Sequence, residues 1–205
     1  GRDLTYNGNP TYTYNNLIPY IDLDGTGDYL SRADEGGLDI IGTESYIAVA
    51  AQGLTIGGWF WIDTNAGSGL IGKWGGTAQD QSYLLHLNGA TFVPRFIVGD
   101  GAASDAIDST VSATTGVWRF IVGRYDPSIS IEVFIGDATN GLVQTSNASG
   151  IPASLANGAG AFNIGAYNAG NTLDGRISMC FLCTTYLSDQ IISSLFQASR
   201  PLFRV

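Results

Sequence analysis

Three aspartates lie close together near the start of the chain, in a segment that contains tight turns. Asp22, Asp24 and Asp28 are separated by Gly25 and Gly27 among other residues. Calcium takes several oxygen ligands in proteins, and a short acidic loop can supply carboxylate and carbonyl oxygens together. The pattern predicts a metal site at Asp22, Asp24 and Asp28 with Ca2+ as the cofactor, and indicates no other cofactor. The alternative is an Asp-Gly turn at the end of a strand, which needs no metal.

A second candidate site is aromatic. In a strand, Trp59 and Trp61 project from the same face, and Asp63 follows them on that face. Sugar rings stack on exposed aromatic side chains, and a nearby carboxylate accepts hydrogen bonds from their hydroxyls. The spacing predicts that Trp59, Trp61 and Asp63 bind a glycan. Two other interpretations stay open: the tryptophans fill space beneath a loop, or they make a contact between subunits.

Few residues of the sequence could catalyse hydrolysis, and they are far apart in the chain. A glycosidase needs two carboxylates at a defined separation, whereas Glu35, Glu44 and Glu132 are isolated from one another. The one histidine, His86, lies on an alternating segment with no G-x-S-x-G turn to supply a nucleophile. The sequence therefore predicts that the protein is not an enzyme and that His86 is structural or solvated.

The two cysteines, Cys180 and Cys183, have C-x-x-C spacing, but no βαβ pattern surrounds them. Positions i and i+3 of a strand point to opposite faces, which is a poor geometry for a disulfide. A single distant histidine does not complete a zinc site. We therefore expect two unpaired, largely buried thiols.

Composition and charge narrow the class of protein. The net charge is −9 with nine basic residues, which is not typical of a nucleic-acid-binding protein. No apolar run approaches the roughly 18 residues of a membrane span, so membrane insertion is not expected. Gly is 28 of 205 residues and charged residues are 13%, which argues against a helical bundle. The chain begins without Met, which suggests a processed product or a piece of a longer polypeptide.

Short strands are the elements that would position these residues. Apolar residues alternate with period two in many short runs, among them 54–62, 83–88 and 118–125. Asp-Gly, Asn-Gly and Gly-Gly pairs separate the runs, as hairpin turns do. Short strands without helices between them predict an all-β sandwich or barrel with antiparallel pairing.

One helix and one ambiguous segment complete the pattern. Ser188 suits an N-cap and Pro201 ends the helix. The apolar stripe between them consists of Ile191, Ile192, Leu195 and Phe196. The segment 39–52 is ambiguous, because residues 45–52 suit either a strand or a helical turn. No linker rich in proline or charge interrupts the chain, so we expect one domain over residues 1–205.

Eight short phrases follow one another in a characteristic order. They are Leu23-Asp24-Gly25-Thr26-Gly27-Asp28-Tyr29-Leu30, Leu38-Asp39-Ile40, Leu54-Thr55-Ile56-Gly57-Gly58-Trp59-Phe60, Leu70-Ile71-Gly72-Lys73, Trp118-Arg119-Phe120 with Tyr125-Asp126, Val133-Phe134-Ile135-Gly136, Ile164-Gly165-Ala166, and Gly175-Arg176-Ile177 with Leu187-Ser188-Asp189-Gln190-Ile191. Their order resembles the laminin-G-like branch of the concanavalin A-like lectin/glucanase superfamily, over roughly residues 3–197. The resemblance implies a two-sheet antiparallel jelly-roll sandwich with one short C-terminal helix. Ser178 and Met179 stand where the family has an acidic pair, which weakens the case for a calcium ligand on that strand.

The resemblance does not assign a function, because this fold serves lectins, glycosidases, adhesion modules and virion parts. We expect a non-catalytic, extracellular or virion-exposed domain for recognition or adhesion, with a cell-surface or extracellular glycan as its partner. The alternative is a structural subunit of a phage or virus particle or of a filament, whose aromatic face contacts other copies of itself. The small share of charged residues suits the alternative, because an assembled subunit hides surface that a monomer coats with polar groups.

Overall fold

Sixteen β-strands form most of the regular structure in the computed structural model, which describes residues 3–15, 18–38, 53–64, 67–168 and 170–203. In chain order they are β1 (Thr5–Asn7), β2 (Thr11–Asn15), β3 (Ile18–Asp24), β4 (Tyr29–Arg32), β5 (Leu54–Ile62), β6 (Gly69–Trp74), β7 (Gln81–Leu87), β8 (Pro94–Gly99), β9 (Ser104–Asp108), β10 (Trp118–Asp126), β11 (Ser130–Asp137), β12 (Val143–Asn147), β13 (Phe162–Ile164), β14 (Ala166–Tyr167), β15 (Asn171–Thr172) and β16 (Asp174–Cys183). The segment 39–52, ambiguous from its sequence, lies outside the described residues.

Fourteen of the strands form two antiparallel sheets of seven strands each within the described ranges, in a jelly-roll-like fold, and β14 pairs with β15 in a separate two-stranded sheet. Sheet A has the spatial order β1-β4-β13-β6-β7-β8-β9, and sheet B has the order β12-β11-β10-β5-β16-β3-β2. At one side of the sandwich a side chain bridges the two sheet edges: Asn147 of β12 donates from Nδ2 to Oδ2 of Asp105 in β9, at 2.9 Å. The prediction of an all-β, two-sheet antiparallel sandwich is confirmed.

The inward faces of the sheets share one apolar core, because alternate residues of a strand point the same way. Leu54, Ile56, Phe60 and Ile62 of β5 are fully buried in it. From sheet A the same core includes Ile71, Leu85, Phe96 and Val98. Burying a side chain of this kind stabilises the fold by about 1.5–3 kcal/mol, so β5, at the centre of sheet B, is a main source of stability.

The helix α1 (Asp189–Ser199) packs against the outer face of sheet B. Ser188 is its N-cap, as predicted, with its side chain accepting a hydrogen bond from the backbone N–H of Ile191. The predicted stripe is half right: Ile192 and Phe196 are buried, because residues four apart share a helix face, whereas Ile191 and Leu195 are exposed. None of the helices in the described ranges has the length and apolarity needed to cross a membrane.

A bulge interrupts β16 between Ser178 and Phe181, opposite the middle of β5. Met179 has a φ of 49° there, and the backbone comes so close to Gly58 that a Cβ on that glycine would lie 3.0 Å from Cα of Cys180. Cys180 and Cys183 are unpaired, as predicted. Both residues are partly buried beside this irregular strand, and Cys180 packs against the core, so the predicted burial is borne out in part.

Candidate functional site

Of the three residues predicted to bind a glycan, Trp59 is fully buried. It stacks on Phe203 with the ring centroids 4.2 Å apart and the planes 12° apart, and Phe196 lies 5.9 Å away in a second stacked contact. Its Nε1 donates to Oγ of Ser199 at 2.9 Å. Trp59 therefore packs beneath the C-terminal helix, where no sugar could stack on it. The structure contradicts its predicted role and favours the alternative of a space-filling tryptophan.

Trp61 lies two residues further along β5 and is only partly buried. Its Nε1 donates to Oδ1 of the exposed Asp63 at 2.9 Å, so this predicted pair is brought together. Trp118 lies directly opposite Trp61 in β10, with the ring centroids 6.0 Å apart in an edge-on contact. Tyr20 of β3 makes a further edge-on contact with Trp118 at 6.1 Å. Trp118 is 5% exposed, so Tyr20 and Trp61 supply the exposed part of this group. We call Tyr20, Trp61 and Trp118 the aromatic surface.

Sequence reasoning missed Trp118 as a neighbour of Trp61. The two residues share a face through the pairing of β5 with β10, which are far apart in the chain. The alternation within each strand gives the facing of its own residues only, so the register between distant strands was the missing signal.

Arg176 of β16 lies over the aromatic surface. It is opposite Trp61 on one side and opposite Asp22 on the other, because β16 runs between β5 and β3. Its guanidinium carbon is 5.1 Å from the Trp61 ring centroid and 5.5 Å from that of Tyr20. Its Nε is 3.1 Å from Oδ1 of Asp22. Asp22, predicted as a metal ligand, thus lies beside the aromatic surface as an ion-pair partner.

A cleft of about 300 Å³ adjoins the aromatic surface at Trp61 and Trp118. Arg119 and Asp137 lie opposite each other at its base, nearly buried and joined by an ion pair. The other polar side chains that line it include those of Thr114, Thr139 and Asn140. We call this space the sheet B cleft.

The two charged side chains that line the sheet B cleft, Arg119 and Asp137, are bonded to other groups of the protein. Asp137 accepts hydrogen bonds from the backbone N–H of Thr139 at 2.7 Å and of Asn140 at 2.6 Å. Burial would raise the pKa of Asp137, but the hydrogen bonds from Asn140 and Thr139 and the charge of Arg119 together lower it. Arg119 also donates from Nη2 to Thr114 Oγ1 at 2.5 Å. What this cleft offers a ligand is therefore aromatic surface and neutral polar groups.

The carboxylates of Asp24 and Asp28 accept hydrogen bonds from nearby backbone N–H groups. Asp28 is 4% exposed, and its Oδ1 accepts from the backbone N–H of Asn9 at 2.6 Å while Oδ2 accepts from that of Asp24 at 3.3 Å. Asp24 Oδ1 accepts from the backbone N–H of Thr26 at 2.7 Å. Across the described ranges there is no cluster of three or more His, Cys, Asp or Glu suited to a metal ion. The geometry is that of an Asp-Gly turn, and calcium binding stays a prediction.

A two-sheet jelly roll is an architecture found in lectin domains and in viral capsid proteins alike. The family model described as the concanavalin A-like lectin/glucanases superfamily, a laminin-G-type model, matches residues 24–193. The chain therefore belongs to this superfamily, as the resemblance of its phrases predicted. No curated protein matches it by sequence.

Solved structures with the same fold include the binding domains of clostridial toxins. That of Paraclostridial Mosquitocidal Protein 1 has a TM-score of 0.71 at 10% identity, covering 96% of this chain and 47% of its own. The binding domain of botulinum neurotoxin serotype G has a TM-score of 0.67 at 12% identity, covering 97% of this chain and 47% of its own. The ligand-binding domain of serotype D, solved with N-acetylneuraminic acid, has a TM-score of 0.67 at 11% identity, covering 96% and 46%. The chain spans under half the length of these structures, and at such identity the likeness shows the fold alone.

Proposed function

We propose that this chain is a non-catalytic, carbohydrate-binding recognition domain exposed outside the cell or on a virion. The observation that carries the proposal is the aromatic surface, in which Trp61 is hydrogen-bonded to Asp63 and lines the sheet B cleft. Aromatic rings beside fixed polar groups are the usual elements of a sugar site. The binding domains of similar fold, one of them solved with N-acetylneuraminic acid, support the same class of function.

The contacts around Trp61 suit a hydroxyl-rich ligand. Its indole N–H is held by Asp63, which orients the ring and leaves Asp63 Oδ2 to accept from a sugar hydroxyl. Arg176 lies over the ring and is paired with Asp22, and both side chains are partly exposed, so they offer further donors and acceptors there. Trp118, on the neighbouring strand, packs against the ring in its edge-on contact. In this arrangement Trp61 would make the stacking contact and Asp63 the directional one.

The positions of the two described glutamates, Glu35 and Glu132, support a role without catalysis, while Glu44 lies outside the described residues. Glu132 is buried in an ion pair with Arg124, and Glu35 is paired with Arg32. A glycosidase would need two carboxyl groups about 5–10 Å apart across an open cleft. The sheet B cleft has the carboxylate of Asp137, whose oxygens are taken by Arg119 and by the following turn.

A glycan array tests the proposal. Wild-type protein should bind at least one glycan, and calorimetry with that glycan should show binding about tenfold weaker or more for Trp61→Ala, as expected of a stacking contact. Tyr6→Ala is the matched control, because Tyr6 is an exposed aromatic residue on sheet A. Absence of binding to every glycan, or equal loss in both variants, would contradict the proposal.

A second candidate function, a subunit of a particle or filament, is favoured by the edge strand β2. Tyr12 and Tyr14 are 55% and 67% exposed, and their rings are in edge-on contact at 5.3 Å. β2 carries no charged residue, although charges are a common protection of edge strands against pairing with another chain. Light scattering separates the two functions: a monomer supports the recognition domain, and large assemblies that Tyr14→Lys dissolves support the subunit.

Calcium at Asp22, Asp24 and Asp28 is a further proposal, supported by the spacing of the carboxylates in the sequence. It is tested by the melting temperature with calcium and with a chelator. A rise with calcium that Asp24→Ala removes would support it. Equal melting temperatures of the wild type under the two conditions would dispose of it.

A further inference from the structure

A second cleft, of about 350 Å³, lies on sheet A, where no prediction placed a site. Two aromatic side chains, Tyr29 and Trp74, line it together with Ser31, Asn163 and Asn168. We call it the sheet A cleft. Trp74 and Tyr29 are each partly exposed, so both have ring surface available to a ligand.

Strand register brings these residues together. Ser31 of β4 is directly opposite Asn163 of β13, and Tyr29 precedes Ser31 by two residues on the same face. Phe162 and Ile164, on either side of Asn163, point into the core, so Asn163 points away from it. β6, which ends at Trp74, is the next strand beyond β13. The cleft therefore stands on three paired strands and has a rigid base.

The polar side chains of the cleft have hydrogen-bonding capacity left for a ligand. Asn163 is 7% exposed, and its amide donates one long hydrogen bond, 3.4 Å, to the carbonyl of Ala161. Within the part of the chain that the structure describes, this is its one partner, whereas an amide can make about four such bonds. Ser31 Oγ accepts from Asn7 Nδ2 at 2.8 Å, which leaves its hydroxyl hydrogen to donate.

The side chains that line the sheet A cleft indicate which class of ligand it can bind. None of the described residues that line the sheet A cleft is charged, and the chain has a net charge of −9. An ionic ligand would lose hydration there without gaining a counter-charge, and an anion would also be repelled by the whole molecule. A neutral polyol can stack on a ring and exchange hydrogen bonds with an amide and a hydroxyl.

We propose that the sheet A cleft is a second binding site, which takes a neutral saccharide through Trp74, Tyr29, Ser31 and Asn163. It lies on the opposite sheet from the aromatic surface and shares no residue with it, so it does not depend on glycan binding at Trp61. Trp74 and Tyr29 stack on the sugar ring, and Asn163 and Ser31 form hydrogen bonds with the hydroxyl groups of the saccharide. Asn7 is a positioning residue, which acts through the hydroxyl of Ser31.

Nuclear magnetic resonance of the tryptophan indole N–H groups tests each site separately. The probes are lactose, maltose, cellobiose and chitobiose, with sialyllactose as the acidic comparison. Trp74→Phe assigns the indole resonance of Trp74, and Trp61→Phe assigns that of Trp61. At least one neutral disaccharide should shift the Trp74 resonance in a saturable manner, and more tightly than sialyllactose.

Variants connect that shift to the cleft. Asn163→Ala and Ser31→Ala should weaken the neutral ligand about tenfold or more at Trp74. Asn140→Ala, the matched control in the sheet B cleft, should leave it unchanged, and melting curves confirm that each variant folds. The proposal is overturned if no neutral probe shifts Trp74, if sialyllactose binds there more tightly, or if Asn163→Ala has no effect. A response of Trp61 without one of Trp74 would overturn this proposal and leave the proposed function standing.

Discussion

Arg124 of the central strand β10 and Asp189 of the first helical turn are joined by an ion pair, with Nη2 2.6 Å from Oδ1. The guanidinium is 1% exposed and is also paired with Glu132, and its Nη1 donates to the carbonyl of Leu187 at 2.6 Å. Tyr186 covers it, with the guanidinium carbon 4.0 Å from its ring centroid. One buried cation thus connects the sheet to the segment that leads into α1.

We expect Arg124→Ala to be strongly destabilising, because it leaves the buried carboxylate of Glu132 without its partner. Breaking a buried pair in this way costs about 3–5 kcal/mol, which urea unfolding would measure. Asp189→Asn is the matched control: that side chain is 67% exposed, so its loss should cost about 0.2–1 kcal/mol. Equal effects of the two substitutions would show that the buried pair has no special role.

Trp59 should behave as a core residue. Trp59→Ala removes its stacking on Phe203 and Phe196, and a buried tryptophan lost in this way costs about 3–5 kcal/mol. Ser199→Ala removes the hydrogen bond from the indole and the one that Ser199 Oγ donates to the carbonyl of Leu195, and should cost about 1–2 kcal/mol. Chemical unfolding monitored by circular dichroism would measure both. A Trp59→Ala variant of unchanged stability would contradict the packing of α1 described above.

Stability should fall below neutral pH through His86. Burial first, and then the positive charge of Arg95, lower the pKa of His86 from 6.5 to about 4. The unfolded chain therefore binds the proton more readily, so the contribution of His86 is complete above about pH 6.5 and falls as the pH drops towards about 4. The loss over this window is on the order of 3 kcal/mol. Urea unfolding across it should show a flatter dependence in His86→Gln, and identical slopes would refute the assignment.

Asp28 should matter more than Asp24 for stability. Its nearly buried carboxylate accepts from the backbone N–H groups of Asn9 and Asp24, which ties the β1–β2 loop to the β3–β4 turn. Asp28→Ala should therefore cost about 2–4 kcal/mol, since the short hydrogen bond to a charged group is worth about 1.5–3 kcal/mol and the longer one, at 3.3 Å, contributes less. Asp24→Ala, which loses one exposed turn contact, should cost about 1 kcal/mol or less. Thermal unfolding without calcium makes the comparison, and a larger effect at Asp24 would contradict it.

The fold could be predicted from the sequence because its signals are local. The alternation of β5, the turn dipeptides and the cap at Ser188 are each read within a few residues. The site depended on contacts between distant segments. The sequence indicated a helix with an apolar stripe and, separately, a strand that carries Trp59. No local pattern showed that the helix packs over Trp59.

The sheet A cleft, too, could not be predicted from local patterns in the sequence. Asn163 stands between two core residues, Phe162 and Ile164, which is the pattern of a polar residue on an outer face. Its neighbours in space, Ser31 and Trp74, come from strands that no local pattern joins to β13. Only the order of the strands in sheet A reveals that these side chains form one cleft.

The unpaired state of both cysteines has a consequence for how the domain can be made and handled. Burial raises the pKa of the Cys180 thiol to about 12 and also raises that of Cys183, so little thiolate forms near neutral pH. Neither residue is cross-linked, and the two sheets are held together by packing and hydrogen bonds. The same fold should therefore form in a reducing cytoplasm and in an oxidising exterior, and reducing agents should leave its melting temperature unchanged.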